Sequence, residues 1–233
     1  MSSTASWRTS ASATFALLIL TGCATPAPGE LLYQDDFKDL ANWHIEAEKP
    51  GRISAADGVL DIDVPAGVTL WLERYLEGPL VIEFEATAVS EGGPNDQVSD
   101  LNVFWMANNV DGQQPVFSRT RSGAFADYNN LLTYYVGLGG NRNTTTRFRR
   151  YIGDPVLRPL LPEHDLSLAS AMLVPNRRQT VTLIADGSRI EYRREGEPLF
   201  RIDDAAPYAR GWFALRTTYS HLRIRNLRIY RLP

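Results

Sequence analysis

Residues Thr180–Arg193 read TVTLIADGSRIEYR, and this stretch indicates the fold class. Two runs, Thr180–Ile184 and Arg189–Arg193, are rich in the β-branched and aromatic residues that favour strands. Between them lies the Ala-Asp-Gly-Ser sequence of residues 185–188, which is typical of a tight turn. The stretch therefore predicts a β-hairpin.

The same pattern continues in both directions along the chain. Val59–Val64 alternates apolar and acidic residues after a turn sequence, Leu80–Thr87 alternates in the same way, and Leu222–Tyr230 closes the chain with further strand-like runs. After the apolar run near the N-terminus, no segment has the pattern of an amphipathic helix of about twelve residues. Many short strands separated by Gly-containing turns predict an all-β protein, either a sandwich or a jelly roll.

The N-terminal segment predicts secretion and lipidation. Arg8 precedes the short apolar run of residues 13–20, which ends in the sequence Leu20–Cys23. The run is too short to span a bilayer. It resembles a lipobox signal, which implies cleavage before Cys23 and diacylation of its thiol, while Ala24 implies sorting to the outer membrane. The alternatives are a plain secretory signal with a chance cysteine, or a buried thiol.

These features divide the chain into a signal peptide (1–22), a lipidated cysteine with a Pro-rich tether (23–30) and a single β-sandwich domain (31–233). The formal net charge is −3, and removal of residues 1–22, which contain one arginine and no acid, leaves −4. This mildly acidic charge argues against a nucleic-acid partner. We expect membrane contact only through the lipid anchor, on the periplasmic face.

The segment Tyr134–Tyr151 carries the clearest candidate site. It predicts a strand, a Gly-rich turn and a second strand that begins near Thr145. Arg147, Arg149 and Tyr151 then share one face, because the phenylalanine between the arginines belongs in the core. Two guanidiniums and a phenol suit a carboxylated sugar, since arginine binds carboxylates through paired hydrogen bonds. The alternative is an exposed basic strand.

Other polar residues extend this candidate site. Asp100 and Asn102 share one face of a predicted strand, and Arg216 shares a strand face with Trp212, where it either lines the same groove or packs within the sheet. We predict that the following residues contact substrate: Asp100, Asn102, Asn141, Asn143, Arg147, Tyr151 and Arg216.

Two sets of residues are candidates for acid–base chemistry. His164 lies between two acidic residues in the long loop 152–176, where a histidine can act as a general base. The alternative is a surface histidine that holds the loop by hydrogen bonds. Glu83, Glu85 and Asp100 are the second set, because carboxylates on neighbouring strands can act as a hydrolytic pair. Their alternative is a solvated strand face.

Several blocks of sequence resemble known families. The opening residues, from Asp36 to Asp61, look like the start of a concanavalin A-like (galectin- or laminin-G-like) domain. The blocks similar to the bacterial domain of unknown function 6250 are Tyr134–Gly137, Asn143–Tyr151, Leu161–Asp165, Gly211–Phe213 and Arg223–Asn226. The resemblance covers nearly all of Leu31–Leu232. It implies a concanavalin A-like jelly-roll β-sandwich of two antiparallel sheets.

The same resemblance implies a connection with glycans. The family is allied to sandwich proteins of pectin (rhamnogalacturonan) utilisation and more loosely to 3-keto-glycoside hydrolases. The Gln-Ile/Val-His and Tyr-Phe-Lys motifs of jelly-roll alginate lyases are absent from the sequence. Because folds of this kind often carry structural calcium, Asp36, Asp203 and Asp204 are candidate ligands, with solvated loop acids as the alternative. No other cofactor is expected.

Together these residues predict a glycan-active lipoprotein, either a polysaccharide lyase or another glycoside-cleaving enzyme, whose substrates are plant or algal glycans that contain uronic acid. In a lyase, Arg147 or Arg149 neutralises the carboxylate, His164 or Tyr135 removes the C5 proton, and a phenol or histidine protonates the leaving oxygen. The predicted catalytic residues are His164, Tyr135 and Arg149. The alternatives are a non-catalytic carbohydrate-binding lipoprotein and a structural envelope protein.

Overall fold

A computed structural model describes residues 29–233, so the predicted signal peptide, Cys23 and most of the tether lie outside the described residues. The described part contains fourteen strands: β1 Leu31–Asp35, β2 Trp43–Ala47, β3 Arg52–Ala56, β4 Val59–Leu72, β5 Leu76–Glu77, β6 Leu80–Ala88, β7 Leu101–Asn109, β8 Leu131–Gly139, β9 Thr145–Ile152, β10 Asp165–Leu166, β11 Arg178–Asp186, β12 Arg189–Arg194, β13 Glu197–Asp203 and β14 Arg210–Arg231. The helical segments are short turns at Val116–Ser118, Phe125–Tyr128, Gly140–Asn143, Pro162–His164 and Ala169–Ala171.

The strands form one antiparallel sheet that curls back on itself to make two layers. Its main path runs β10-β9-β8-β7-β14-β6-β11-β12-β13, with β1 to β5 joined to β14 and β4. Although β9 and β13 lie near opposite ends of this path, the rings of Phe148 and Phe200 are in contact, with centroids 5.9 Å apart. A hydrophobic core fills the space between the layers. The expected all-β sandwich is therefore confirmed.

The predicted hairpin is present as β11 and β12. Asp186 pairs with Arg189, so the connecting turn consists of Gly187 and Ser188 and is shorter than the sequence suggests. Gly187 has a φ of 57°, which glycine adopts without steric cost. Val181 and Leu183 enter the main core, while Thr182 between them lies on the opposite face of the sheet, as alternation requires.

Strand β14 belongs to both layers. Its residues 212–216 pair with β7 in one layer, and its residues 222–231 pair with β6 in the other. The backbone has positive φ angles at Tyr219 and Asn226, at each of which the register with a neighbouring strand shifts. The strand thus links the two layers through two local irregularities.

A second aromatic cluster lies on the face of the β7–β8–β9 layer that points away from the main core. Phe104, Tyr135 and Tyr151 belong to it, together with Tyr128 from the segment of residues 110–130 that folds over this face. The covering segment buries only part of the face. The remaining part forms an open groove.

Candidate functional site

The groove has a volume of about 660 Å³ and lies over β7, β8, β9 and the first half of β14. Seven of the residues predicted to form a site line it: Asp100, Asn102, Tyr135, Asn141, Arg147, Arg149 and Arg216. On β9, Thr145, Arg147 and Arg149 face the groove while Phe148 enters the core, as the two-residue alternation predicts. Residues from β7, β8, β9 and β14 therefore meet at one surface.

Two kinds of guanidinium group line the groove, one with an ion pair and the others without one in the described part of the chain. Arg147 is already paired, because Asp165 accepts two hydrogen bonds from it at 2.8 and 3.1 Å. Among residues 29–233, Arg149, Arg158 and Arg216 form no ion pair, although Arg149 donates a hydrogen bond to the carbonyl oxygen of Arg158. Unpaired guanidiniums at a concave surface favour an anionic ligand, above all a carboxylate.

Arg216 is the most buried of these cations, with 2% of its surface exposed. Its Nη1 atom donates hydrogen bonds of 2.8 Å to Thr69 Oγ1 and to the carbonyl oxygen of Gly123. The ring of Phe125 lies beneath both Arg216 (5.1 Å) and Arg158 (5.3 Å) in cation–π contact. These contacts fix two guanidiniums without neutralising either of them.

Tyr135 and Asn102 direct oxygen atoms at the same place. A Cβ atom on Gly137 would lie 2.7 Å from Tyr135 Oη and 3.2 Å from Asn102 Oδ1, so the glycine leaves the space in which these oxygens meet. Asn102 Oδ1 is buried and has no hydrogen-bond partner within residues 29–233. Burial raises the pKa of Tyr135 well above its ordinary value, so its hydroxyl keeps its proton and can act as a hydrogen-bond donor.

Asp100 supplies a carboxylate to the groove. It precedes β7 with a φ of 58° and accepts a hydrogen bond from Asn102 Nδ2 at 3.3 Å. Burial raises the pKa of Asp100, although hydrogen bonds from Ser99 and Asn102 and the charge of Arg216 act in the opposite direction. A carboxylate with a raised pKa is a better proton acceptor than a solvated one.

Three predicted site residues lie outside the open surface. His164 packs edge-on against Phe148 (4.9 Å) and Phe200 (5.8 Å), on the core side of β9, and burial lowers its pKa. Asn143 exchanges two hydrogen bonds with the backbone of Leu173. Tyr151 is fully buried in the aromatic floor beneath the groove. The structure thus separates His164 from Arg149 by the thickness of the sheet.

The carboxylates considered for hydrolysis are not brought together. Glu83 and Glu85 alternate on β6 with the core residues Ile82 and Phe84, so they face the outside of the opposite layer. Glu85 forms an ion pair there with Arg178. Asp100 alone of the proposed set reaches the groove.

Sequence reasoning did not single out several residues of the groove. Arg158 belongs to the long loop 152–176, where its position among other irregular residues gave no sign of the direction of its side chain. Glu48, Phe125, Gly137 and Tyr219 also line the groove. Their roles depend on strand pairing and loop packing, for which the local sequence carries no signal.

Two of the three candidate calcium ligands, Asp36 and Asp204, have other partners. Asp36 pairs with Lys38, and Asp204 accepts hydrogen bonds from Tyr134 and Arg150, both at 2.6 Å. Within residues 29–233, no group of three or more His, Cys, Asp or Glu side chains is arranged to hold a metal ion. No helix in this part of the chain is long and apolar enough to cross a membrane.

Comparison with solved structures identifies the fold. A Bacillus subtilis protein of unknown function with a galectin-like fold superposes with a TM-score of 0.68 at 13% identity, over 89% of this chain and 98% of that one. Carbohydrate binding module CBM66 from Bacillus subtilis gives 0.54 at 10% identity, over 81% and 95%. A LamA variant from Z. galactanivorans, in complex with laminaritriose and laminaritetraose, gives 0.57 at 12% identity, over 88% and 100%.

At such identities these similarities establish the fold alone, which is the concanavalin A-like jelly-roll sandwich expected from the sequence. No curated protein matches the chain. The model of the family described as "Domain of unknown function (DUF6250)" matches residues 62–227. Because this match spans well over half of the sequence, the chain belongs to the DUF6250 family.

Proposed function

We propose that this protein binds a glycan containing uronic acid in the groove and cleaves it by β-elimination. The observation that carries the proposal is the group of guanidiniums without ion pairs, Arg149, Arg158 and Arg216, beside the protonated hydroxyl of Tyr135. The known ligands of structures with the same fold support a carbohydrate, since one is a carbohydrate binding module and another was solved with laminari-oligosaccharides.

In this mechanism the arginines bind the C6 carboxylate of the sugar. Arg149 and Arg216 neutralise its charge, which makes the C5 proton more acidic because the negative charge that develops is already compensated. Guanidiniums held in a partly buried site interact more strongly with a carboxylate than they would in bulk water. The binding contacts and the electrostatic contribution to catalysis therefore come from the same residues.

Asp100 and Tyr135 carry the proton transfers. Asp100 removes the C5 proton, the C–H electrons form the C4=C5 double bond, and the C4–O bond breaks. Tyr135 gives its proton to the leaving oxygen, and exchange with water then restores both groups. The raised pKa of Asp100 suits a base, whereas the raised pKa of Tyr135 keeps its hydroxyl protonated until the developing alkoxide, a stronger base, takes the proton. His164 has no part in this scheme, because it lies on the other side of the sheet.

Binding without cleavage is the second candidate function. It is favoured by the burial of Tyr135, of which only 6% is exposed, because a general acid has to reach the leaving oxygen. In that case the same arginines recognise the carboxylate and the fold acts as a binding module. For either function, we propose that Cys23 anchors the protein by a lipid to the periplasmic face of the outer membrane.

The experiment that separates these candidates uses the purified protein and a panel of uronate polysaccharides, each paired with its carboxyl-reduced form. Ultraviolet absorbance of the new C4=C5 double bond and the number of reducing ends are followed together. We expect both signals to rise only with the carboxylated form. Tyr135→Phe, which removes one oxygen atom, should lower the rate by about a hundredfold or more.

Two arginine variants provide matched charge controls. Arg149→Gln should weaken both binding and turnover, whereas Arg178→Gln, on the outside of the other layer, should change neither. Reducing ends without absorbance would instead indicate hydrolysis. A rise in melting temperature without any product would support the binding module. If no uronate polysaccharide is cleaved or raises the melting temperature, the proposal is wrong.

A further inference from the structure

Side chains along β14 alternate between the core and the opposite face of the sheet, and this alternation shifts by one residue at Tyr219. Before this point the core receives Phe213 and Leu215, whose numbers are odd, and after it the core receives Leu222 and Ile224, whose numbers are even. Tyr219 has a φ of 46°, and the register with β4 shifts between its two neighbours. The left-handed backbone at Tyr219 thus produces the shift in alternation that the fold requires of β14.

The alternation along the same strand shifts a second time, at a different type of residue. After Asn226, whose φ is 54°, the core receives Leu227 and Ile229. Asparagine is one of the few residues other than glycine that adopt the left-handed region readily. The fold therefore needs only an asparagine or a glycine at such a position, and it does not by itself explain a tyrosine at 219.

Two other large apolar residues of the described chain have similar backbone angles, and packing compensates for both. Phe37 (φ 47°) is fully buried and stacks on Trp43, and Met106 (φ 52°) is fully buried in the main core. Tyr219 has no such compensation, because 46% of it is exposed. Within residues 29–233 its side chain makes no ring contact and no hydrogen bond.

The exposed ring lies at the groove. Tyr219 lines it together with Thr218, Gln97 and Ser99. The neighbouring Ser220 holds the irregularity in place, since its Oγ lies 2.9 Å from the carbonyl oxygens of both Gln97 and Ser99. A strained backbone, firmly held, thus presents a free aromatic face to the candidate ligand site.

We propose that Tyr219 is a stacking platform for a sugar unit beyond the one whose carboxylate the arginines bind. An aromatic ring offers an apolar surface to the C–H face of a pyranose. The ligand is then an oligosaccharide that extends along the groove, not a single uronic acid. This inference rests on the proposed function and adds a second subsite to it.

The test compares Tyr219→Asn and Tyr219→Phe with the unchanged protein. Melting temperature is measured by calorimetry, and affinity is measured by titration with the monosaccharide and a hexasaccharide of galacturonate and of mannuronate. For Tyr219→Asn we expect an equal or higher melting temperature, because asparagine tolerates the left-handed backbone. We also expect a roughly tenfold loss of affinity for the hexasaccharide and little change for the monosaccharide. Tyr219→Phe should retain the affinity.

Tyr75→Asn is the matched control, because Tyr75 is similarly exposed (40%) but contacts Trp212 and does not line the groove. It should leave both affinities unchanged. Unchanged hexasaccharide affinity in Tyr219→Asn, or a clear fall in its melting temperature, would overturn the platform while the proposed function stands. Failure of the unchanged protein to bind any of the four saccharides would overturn both.

Discussion

At the scale of single residues, the ionisable groups in and beside the groove lie in unlike surroundings. Asp165 lies beside the guanidinium of Arg147, whose hydrogen bonds and charge hold the pKa of Asp165 below its ordinary value. Asp100 is partly buried without such a partner, and burial raises its pKa. The two aspartates should therefore affect stability in opposite ways as the pH changes.

We predict that Asp100→Asn raises the melting temperature at neutral pH. The folded state holds the proton of Asp100 more tightly than the unfolded state, so ionisation of Asp100 destabilises the fold as the pH rises through its raised pKa. Asparagine removes this penalty and also tolerates the positive φ of the position. The gain should disappear in acid, where Asp100 is protonated in both states.

The control variant should change the melting temperature in the opposite direction. Asp165→Asn should lower the melting temperature at neutral pH, and this loss should vanish as the pH falls through the lowered pKa of Asp165. Calorimetry over a pH series checks both variants. A gain in Asp100→Asn that persists in acid would mean that burial of the charge is not its cause.

At the scale of elements, the segment 110–130 depends on one buried cation. Arg121 donates hydrogen bonds to the carbonyl oxygen of Val116 (2.9 Å) and to Asn109 Oδ1 (2.8 Å) and lies 3.7 Å from Glu46. Glu46 in turn accepts hydrogen bonds from Tyr128 and from Trp71 beneath it. The segment that carries Phe125 to the arginines is thus held against the sheet from inside.

We predict that Arg121→Met costs about 3 kcal/mol in the free energy of unfolding, because it leaves the buried charge of Glu46 without its partner. Hydrogen exchange should accelerate in residues 116–128. Arg119→Met is the matched control, since Arg119 pairs with Asp111 at the surface of the same segment and should cost less than about 1 kcal/mol. Equal losses in the two variants, measured by chemical denaturation, would contradict the argument.

At the scale of the whole molecule, charge is distributed unevenly. The chain has a formal net charge of −3, yet unpaired arginines gather at one concave surface. Such a distribution concentrates an anionic ligand at the groove while the rest of the surface remains weakly acidic. Selectivity for an acidic glycan over other polyanions then depends on the shape of the groove as well as its charge.

The proposed anchor also belongs to this scale. We predict that the full chain, expressed in a bacterium with an outer membrane, incorporates a labelled fatty acid and that its mature form begins at Cys23. Cys23→Ser should abolish the label and leave residues 1–22 attached. Mass spectrometry of the mature N-terminus checks the result, and an unlabelled protein that begins at another residue would contradict the anchor.

The sequence by itself determined those features that depend on neighbouring residues. Alternation on β9 was enough to assign Arg147 and Arg149 to one face and Phe148 to the other. The hairpin around Gly187 was predictable because its turn chemistry is local. The blocks that resemble the DUF6250 family gave the sandwich fold, which comparison with solved structures confirmed.

Only the tertiary structure decided which of these residues meet. Asn102 pairs with Gly137 on one side and with Arg216 on the other, and both contacts join segments far apart in the chain. His164 looked like a base in the sequence, but packing against Phe148 places it on the opposite side of β9 from the groove. Tyr219 faces the groove because the alternation of side chains along β14 shifts there. The local sequence encodes which face of a strand a residue occupies, whereas the curl of the sheet decides what that face meets.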